Sequence, residues 1–213
     1  MDFVNSKHLT LQDGYLHLFQ EEGVYIYGAQ VTEQGPMEAG RIIVEGGKSA
    51  IGKGQQQDIV FHWDVSSQRY LPRPQDTEKK LGRNDFVLFH FEAPIPGQPP
   101  CYILGRIDKK VAFDSRSLGS HDAFSHFFMS GGEYAYRLGK KEFRLNVSDH
   151  RELSLEQHTK MAQEPVLIVI NGSDPSVKNA KLVAGQTVIW AVGEGQGLSI
   201  EAYPAKGSSP SSR

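Results

Sequence analysis

Asp13-Gly14-Tyr15-Leu16-His17-Leu18-Phe19-Gln20-Glu21-Glu22-Gly23-Val24-Tyr25-Ile26-Tyr27 lines up without a gap on a second stretch of the same chain. That stretch is Asp122-Ala123-Phe124-Ser125-His126-Phe127-Phe128-Met129-Ser130-Gly131-Gly132-Glu133-Tyr134-Ala135-Tyr136. Six of the fifteen positions are identical, including the Gly-x-Tyr-x-Tyr ending, so the chain carries an internal repeat. A weaker pair sets Lys80-Leu81-Gly82-Arg83-Asn84-Asp85-Phe86-Val87-Leu88-Phe89 against Lys181-Leu182-Val183-Ala184-Gly185-Gln186-Thr187-Val188-Ile189-Trp190. If the Lys-Leu…Val piece is a first half and the Gly-x-Tyr-x-Tyr piece a second half, the chain runs second, first, second, first.

The apolar patterns around these pieces are short and alternate with a period of two. Tyr25-Ile26-Tyr27, Phe86 to Phe91, Phe124 to Phe128, Val166 to Ile170 and Val188 to Val192 are each bounded by Gly, Pro, Asp or Asn. That is strand patterning. One stretch predicts a helix: Glu152 to Gln163 lacks Gly and Pro, and Ser154-Leu155-Glu156-Gln157 fits a capping box. The Gly/Gln-rich stretch from Gly46 to Gln57 reads as a linker, and Ala205 to Arg213 as a flexible Ser-rich tail.

Composition narrows the class. The 213 residues hold 23 Lys and Arg against 25 Asp and Glu, a balance that disfavours a charge-driven nucleic-acid binder. A single Cys excludes an intrachain disulfide framework and a Cys-rich zinc site. No apolar run approaches the roughly 18 residues of a membrane span. Met1-Asp2-Phe3-Val4-Asn5 lacks the basic start and apolar core of a signal peptide.

The repeated pieces resemble the cupredoxin (blue-copper, plastocyanin-like) family. Ala184-Gly185-Gln186-Thr187-Val188-Ile189-Trp190 is similar to the family's Gly-Asp/Gln-Thr-Val-x-Trp strand. Phe113-Asp114-Ser115, the Phe-rich strand 124–128 and Gly132-Glu133-Tyr134-Ala135-Tyr136 resemble its second half. The resemblance covers roughly 180 residues and implies an all-β chain: two cupredoxin-like Greek-key β-sandwiches with one short helix. Residues 57–149, in the order first then second, are expected as one continuous domain. Residues 1–46 plus 164–204 are expected as another, assembled from both termini as in a circularly permuted tandem. Closure of the outer pieces within one chain or between two chains, as an exchanged homo-oligomer, stays open.

Blue copper needs a thiolate, two imidazoles and a weak thioether. Where the resemblance places the thiolate, this sequence has Ala29 and Leu138; at the following imidazole position it has Thr32 and Lys141. Only Met37 has a matching type, and the early His position of the later unit falls near Leu198. Cys101 follows Pro99-Pro100, in the other half of a unit. A copper-free scaffold is therefore expected, without a cofactor. His62 and His90, with Asp64, form the alternative: imidazoles on neighbouring strands that bind a divalent metal once a third ligand joins. His17 and His126 share one repeat position, which points to a structural role.

Gly-x-Ser-x-Gly, Walker A and His-Glu-x-x-His patterns are absent, so no enzyme is expected. The tandem copper oxidases and nitrite reductases need His-Cys-His clusters this chain lacks. Pro94-Ile95-Pro96 and Pro99-Pro100 form a stiff loop that loses little entropy on docking, which makes these residues the partner-binding candidates. The expected function is a subunit or adaptor that binds another protein, in a redox or membrane-associated complex. The alternative is metal handling or electron transfer through a non-standard His site. The resemblance implies a periplasmic or secreted place, and the missing leader argues the other way.

Overall fold

The computed structural model describes residues 4–33, 38–48, 54–92, 98–138, 140–149, 154–195 and 197–204. Alternation becomes strand wherever one face is covered. Of the eight-stranded sheet that forms, the order is β15 (Asp174–Pro175), β14 (Val166–Asn171), β17 (Thr187–Glu194), β11 (Asp122–Phe127), β2 (Asp13–Leu18), β8 (Phe86–Phe91), β5 (Gln56–Asp64) and β6 (Arg69–Pro72). A five-stranded sheet has the order β10 (Lys110–Asp114), β9 (Tyr102–Ile107), β3 (Gly23–Gln30), β4 (Gly40–Lys48) and β7 (Glu78–Arg83). A second has β1 (Val4–Asn5), β18 (Glu201–Pro204), β12 (Gly132–Leu138), β13 (Lys141–Ser148) and β16 (Asn179–Val183). The class is all-β and sandwich-like, as the period-two patterns predict.

Both five-stranded sheets cover the same face of the large sheet. Tyr27 of β3 meets Phe61 and Phe89, and Phe113 of β10 meets Tyr15. Further along the same face Tyr136 of β12 meets Trp190 edge-on at 5.9 Å. Tyr15 and Phe124 are paired directly in the ladder, so these aromatic rows lie on one face. Fully burying each such side chain contributes about 2–3 kcal/mol.

Strand pairing groups the chain differently from the expected 57–149 unit with an outer unit made of 1–46 and 164–204. β5 and β8 pair beside β2, and β4 and β7 beside β3, so residues 13–114 pair largely among themselves. β11 to β18 form the second group. The reason is chain proximity: each second half meets the first half that follows it through short connections. Of the predicted union of the termini one piece is present, β1 on β18, with Val4 opposite Ala202.

That piece is half of an exchange. Ser6 donates its N–H to Ile200 O at 2.9 Å and accepts from Ile200 N–H through Oγ at 3.1 Å. Ser115, just past β10, does the same with Ile103, at 3.0 and 3.1 Å. β10 leads into β11 along the chain yet pairs with β9 of the first group, as β1 leads into β2 yet pairs with β18 of the second. Each repeat therefore lends its leading strand to the other.

Smaller details repeat too. Tyr25 OH donates to Glu21 O at 2.9 Å, and Tyr134 OH to Ser130 O at 3.1 Å. Asp85 Oδ2 accepts from Gly82 N–H at 2.8 Å, and Gln186 Oε1 from Val183 N–H at 3.1 Å. The turns before β8 and β17 place Asn84 and Gly185 at φ 70° and 91°, where Asn and Gly are tolerated.

The predicted helix is α1 (Leu155–Gln163), capped by Ser154, whose Oγ accepts from Gln157 N–H at 3.3 Å. Its predicted first residues, 152 and 153, and the tail 205–213 lie outside the described residues. Gly46 to Lys48 and Gln56–Gln57, expected as linker, belong to β4 and β5; pairing with β7 and β8 draws them into the sheets.

Candidate functional site

Both positions where the resemblance calls for a thiolate are packed as apolar residues. Ala29 ends in the interior side of β3, and Leu138 closes β12. Thr32 and Lys141 are exposed, and Met37 lies outside the described residues. Cys101 is buried and bridges Leu9, while Leu198 bridges Leu118; the two occupy matching places. Burial pushes the Cys101 thiol well above its ordinary pKa, with Asp13 adding to the rise, so it is a packed thiol and not a nucleophile.

His62 and His90 do lie on adjacent strands. β5 and β8 run parallel with Val60 opposite His90, so His62 stands two residues further along on the same outward face. Asp64 is occupied elsewhere. Its carboxylate closes the β5–β6 turn, accepting Ser66 Oγ–H at 2.8 Å and Ser67 Oγ–H at 2.5 Å. These hydroxyls, Ser67 first, hold its pKa down at about 2. Among the described residues no three His, Cys, Asp or Glu side chains gather as metal ligands.

His17 and His126 are brought together with acids that sequence reading did not pair with them. β2 and β11 run antiparallel about Tyr15–Phe124, which sets Asp13 opposite His126 and Asp122 opposite His17. His17 Nδ1 lies 2.7 Å from Asp122 Oδ1, and His126 Nδ1 2.7 Å from Asp13 Oδ1. Asp122 also accepts Tyr15 O–H at 2.5 Å and Gly119 N–H at 2.7 Å. Burial, then Asp122, raises the Tyr15 pKa well above its ordinary value.

The two pairs differ in access. His126 is wholly buried, and its Nε2 has no hydrogen-bond partner among the described residues. His17 lines two adjoining hollows of about 340 and 520 Å³, beside His121 and, in the larger, Ser117 and Ser120. A carboxylate-held imidazole is the base half of a nucleophilic triad. Among the described residues neither serine hydroxyl hydrogen-bonds His17, so the nucleophile half is not assembled.

Of the proline loop, Pro94, Ile95 and Pro96 lie outside the described residues, and Pro100 is exposed. Pro99 offers its carbonyl to Tyr70 O–H at 2.6 Å, which anchors that end of the loop to the core.

The large sheet has a second face that neither five-stranded sheet covers. Burial alternates along β8, β11, β14 and β17, with the inward residue buried and the outward one largely less so. Outward lie Leu167, Ile189, Phe127, Leu16 and Leu88; Leu167 is 54% exposed and Phe127 41%. None of the outward positions on β14, β11, β2 and β8, or on β17 through residue 191, is Asp, Glu, Lys or Arg. A hollow of about 430 Å³ opens on this face between Leu88, Phe127 and Met129. Sequence reading missed it, although strands apolar at both parities were the signal. No family model, no curated protein and no solved structure matches this chain.

Proposed function

We propose that this protein is a copper-free, cupredoxin-like subunit or adaptor, not an enzyme, that binds another protein through the outward face of its eight-stranded sheet. The observation that carries the reading is that face: its outward positions across five strands are largely apolar and, up to residue 191 on β17, none is Asp, Glu, Lys or Arg. A contiguous apolar surface of this extent marks an interaction site in a soluble protein. The apolar packing of Ala29 and Leu138 supports the copper-free part, since type-1 copper requires a thiolate there.

Protein purified after growth with copper and zinc is expected to hold no stoichiometric copper. Stoichiometric copper that disappears in the His62→Ala, His90→Ala variant would overturn the copper-free reading. Phe127→Lys with Leu167→Lys is expected to abolish association made through the face, read by sedimentation. Association that survives both substitutions would overturn the assignment of the face.

A further inference from the structure

We propose that the occupant of the outward face is a second copy of this chain, packed back to back across a two-fold axis. The proposal rests on the reading of that face as protein-binding.

Size is the first support. Five strands about 4.8 Å apart, with about five residues at roughly 3.3 Å each, make a patch of about 24 by 17 Å. Two such patches, with their side-chain relief, bury on the order of 1,000 Å², the threshold of a specific interface. Two sheets packed face to face stand about 10 Å apart, which side chains such as Leu16, Leu88 and Ile189 fill.

Charge is the second. Like charges meeting across a contact are what usually stop a surface from binding its own copy. The outward positions of the five strands carry no Asp, Glu, Lys or Arg except Glu194 at the end of β17, and the chain's net charge of -2 gives little long-range repulsion. A foreign partner gains little charge complementarity here, whereas a copy meets charge only at the rim, at Glu194 and at Asp58 of the adjoining β5.

Symmetry is the third. The ladder's centre at Tyr15–Phe124 relates Leu88 to Ile189 and Leu18 to Phe127, so the four central strands are apolar on both sides of it at these positions, while beyond them Leu167 of β14 corresponds to Asp58 of β5. A two-fold contact places a surface on itself, and the matching apolar positions of the central strands then meet one another.

Light scattering and sedimentation velocity over a wide concentration range test this with the full chain. Wild type is expected at twice the chain mass. Phe127→Lys with Leu167→Lys is expected at the chain mass with an unchanged circular dichroism spectrum. Val65→Lys, exposed at the β5–β6 turn away from the patch, is expected to stay dimeric. If the double lysine variant does not fold, Phe127→Ser with Leu167→Ser is expected to raise the dimer dissociation constant at least tenfold. A dimer indifferent to all of these substitutions overturns the proposal. A monomeric wild type carrying a stoichiometric foreign chain, lost in the double variant, overturns the dimer and leaves the protein-binding reading standing. A monomeric wild type with no bound chain overturns both.

Discussion

His126 Nδ1 stands 2.7 Å from Asp13 Oδ1 although 113 residues separate them, and His17 stands at the same distance from Asp122. The two contacts are one contact written twice, related by the centre of the β2–β11 ladder. Each contact sets one ring nitrogen against one carboxylate oxygen, so a carboxylate there accepts and the facing Nδ1 donates.

Asp13→Ala is expected to cost about 2–4 kcal/mol, because it strips a fully buried imidazole of its one hydrogen-bond partner among the described residues and frees Thr10 N–H as well. Urea unfolding measures it. A cost within a few tenths of a kcal/mol would show that the pair contributes little.

Strand exchange predicts a long-range effect. Ser6→Ala removes the acceptor of the buried Ile200 N–H and is expected to cost about 1–3 kcal/mol. Hydrogen exchange should speed up at Ile200 and along β18, in the second group, while Ile103 stays protected. Ser115→Ala should do the reverse. Faster exchange at Ile103 in the Ser6 variant would contradict the exchange.

Asp64 supplies a pH prediction. Its folded pKa, about 2, lies below the ordinary 3.8, so the unfolded chain takes up this proton first as pH falls. The stabilisation it gives is present above about pH 4 and is lost on the way down to about 2. A carboxyl carbon titration by NMR should find its midpoint near the lower value, and Ser67→Ala should move it up. A wild-type midpoint at an ordinary carboxylate value would refute the turn's hydrogen bonding.

Cys101 should resist a disulfide reagent in the folded protein and react at once in denaturant, since burial keeps its thiol protonated. Rapid native reactivity would show that the Leu9–Cys101 edge opens readily.

Much of the fold was legible in particular residues. Gly23 and Gly132, with the tyrosines that follow them, marked matching strands, and Ser154 with Gln157 marked the start of the one helix. The grouping of strands was not legible, because alternation reports which face a strand covers and not which neighbour it takes. The Asp–His pairs were within reach: in a strand paired antiparallel with its own repeat, Asp13 and His17, four residues apart, must land opposite His126 and Asp122. The outward face was harder to see, since Leu88 and Ile189 read as core when their strands are considered alone.

The lending of β1 and β10 between repeats makes the molecule indivisible. A chain trimmed to one repeat would lack the edge strand that only the other copy supplies, and would keep a leading strand with nowhere to pair. Two copies joined in this way lose the freedom to specialise separately: a change that loosens either one is felt at once as a frayed border on its sibling.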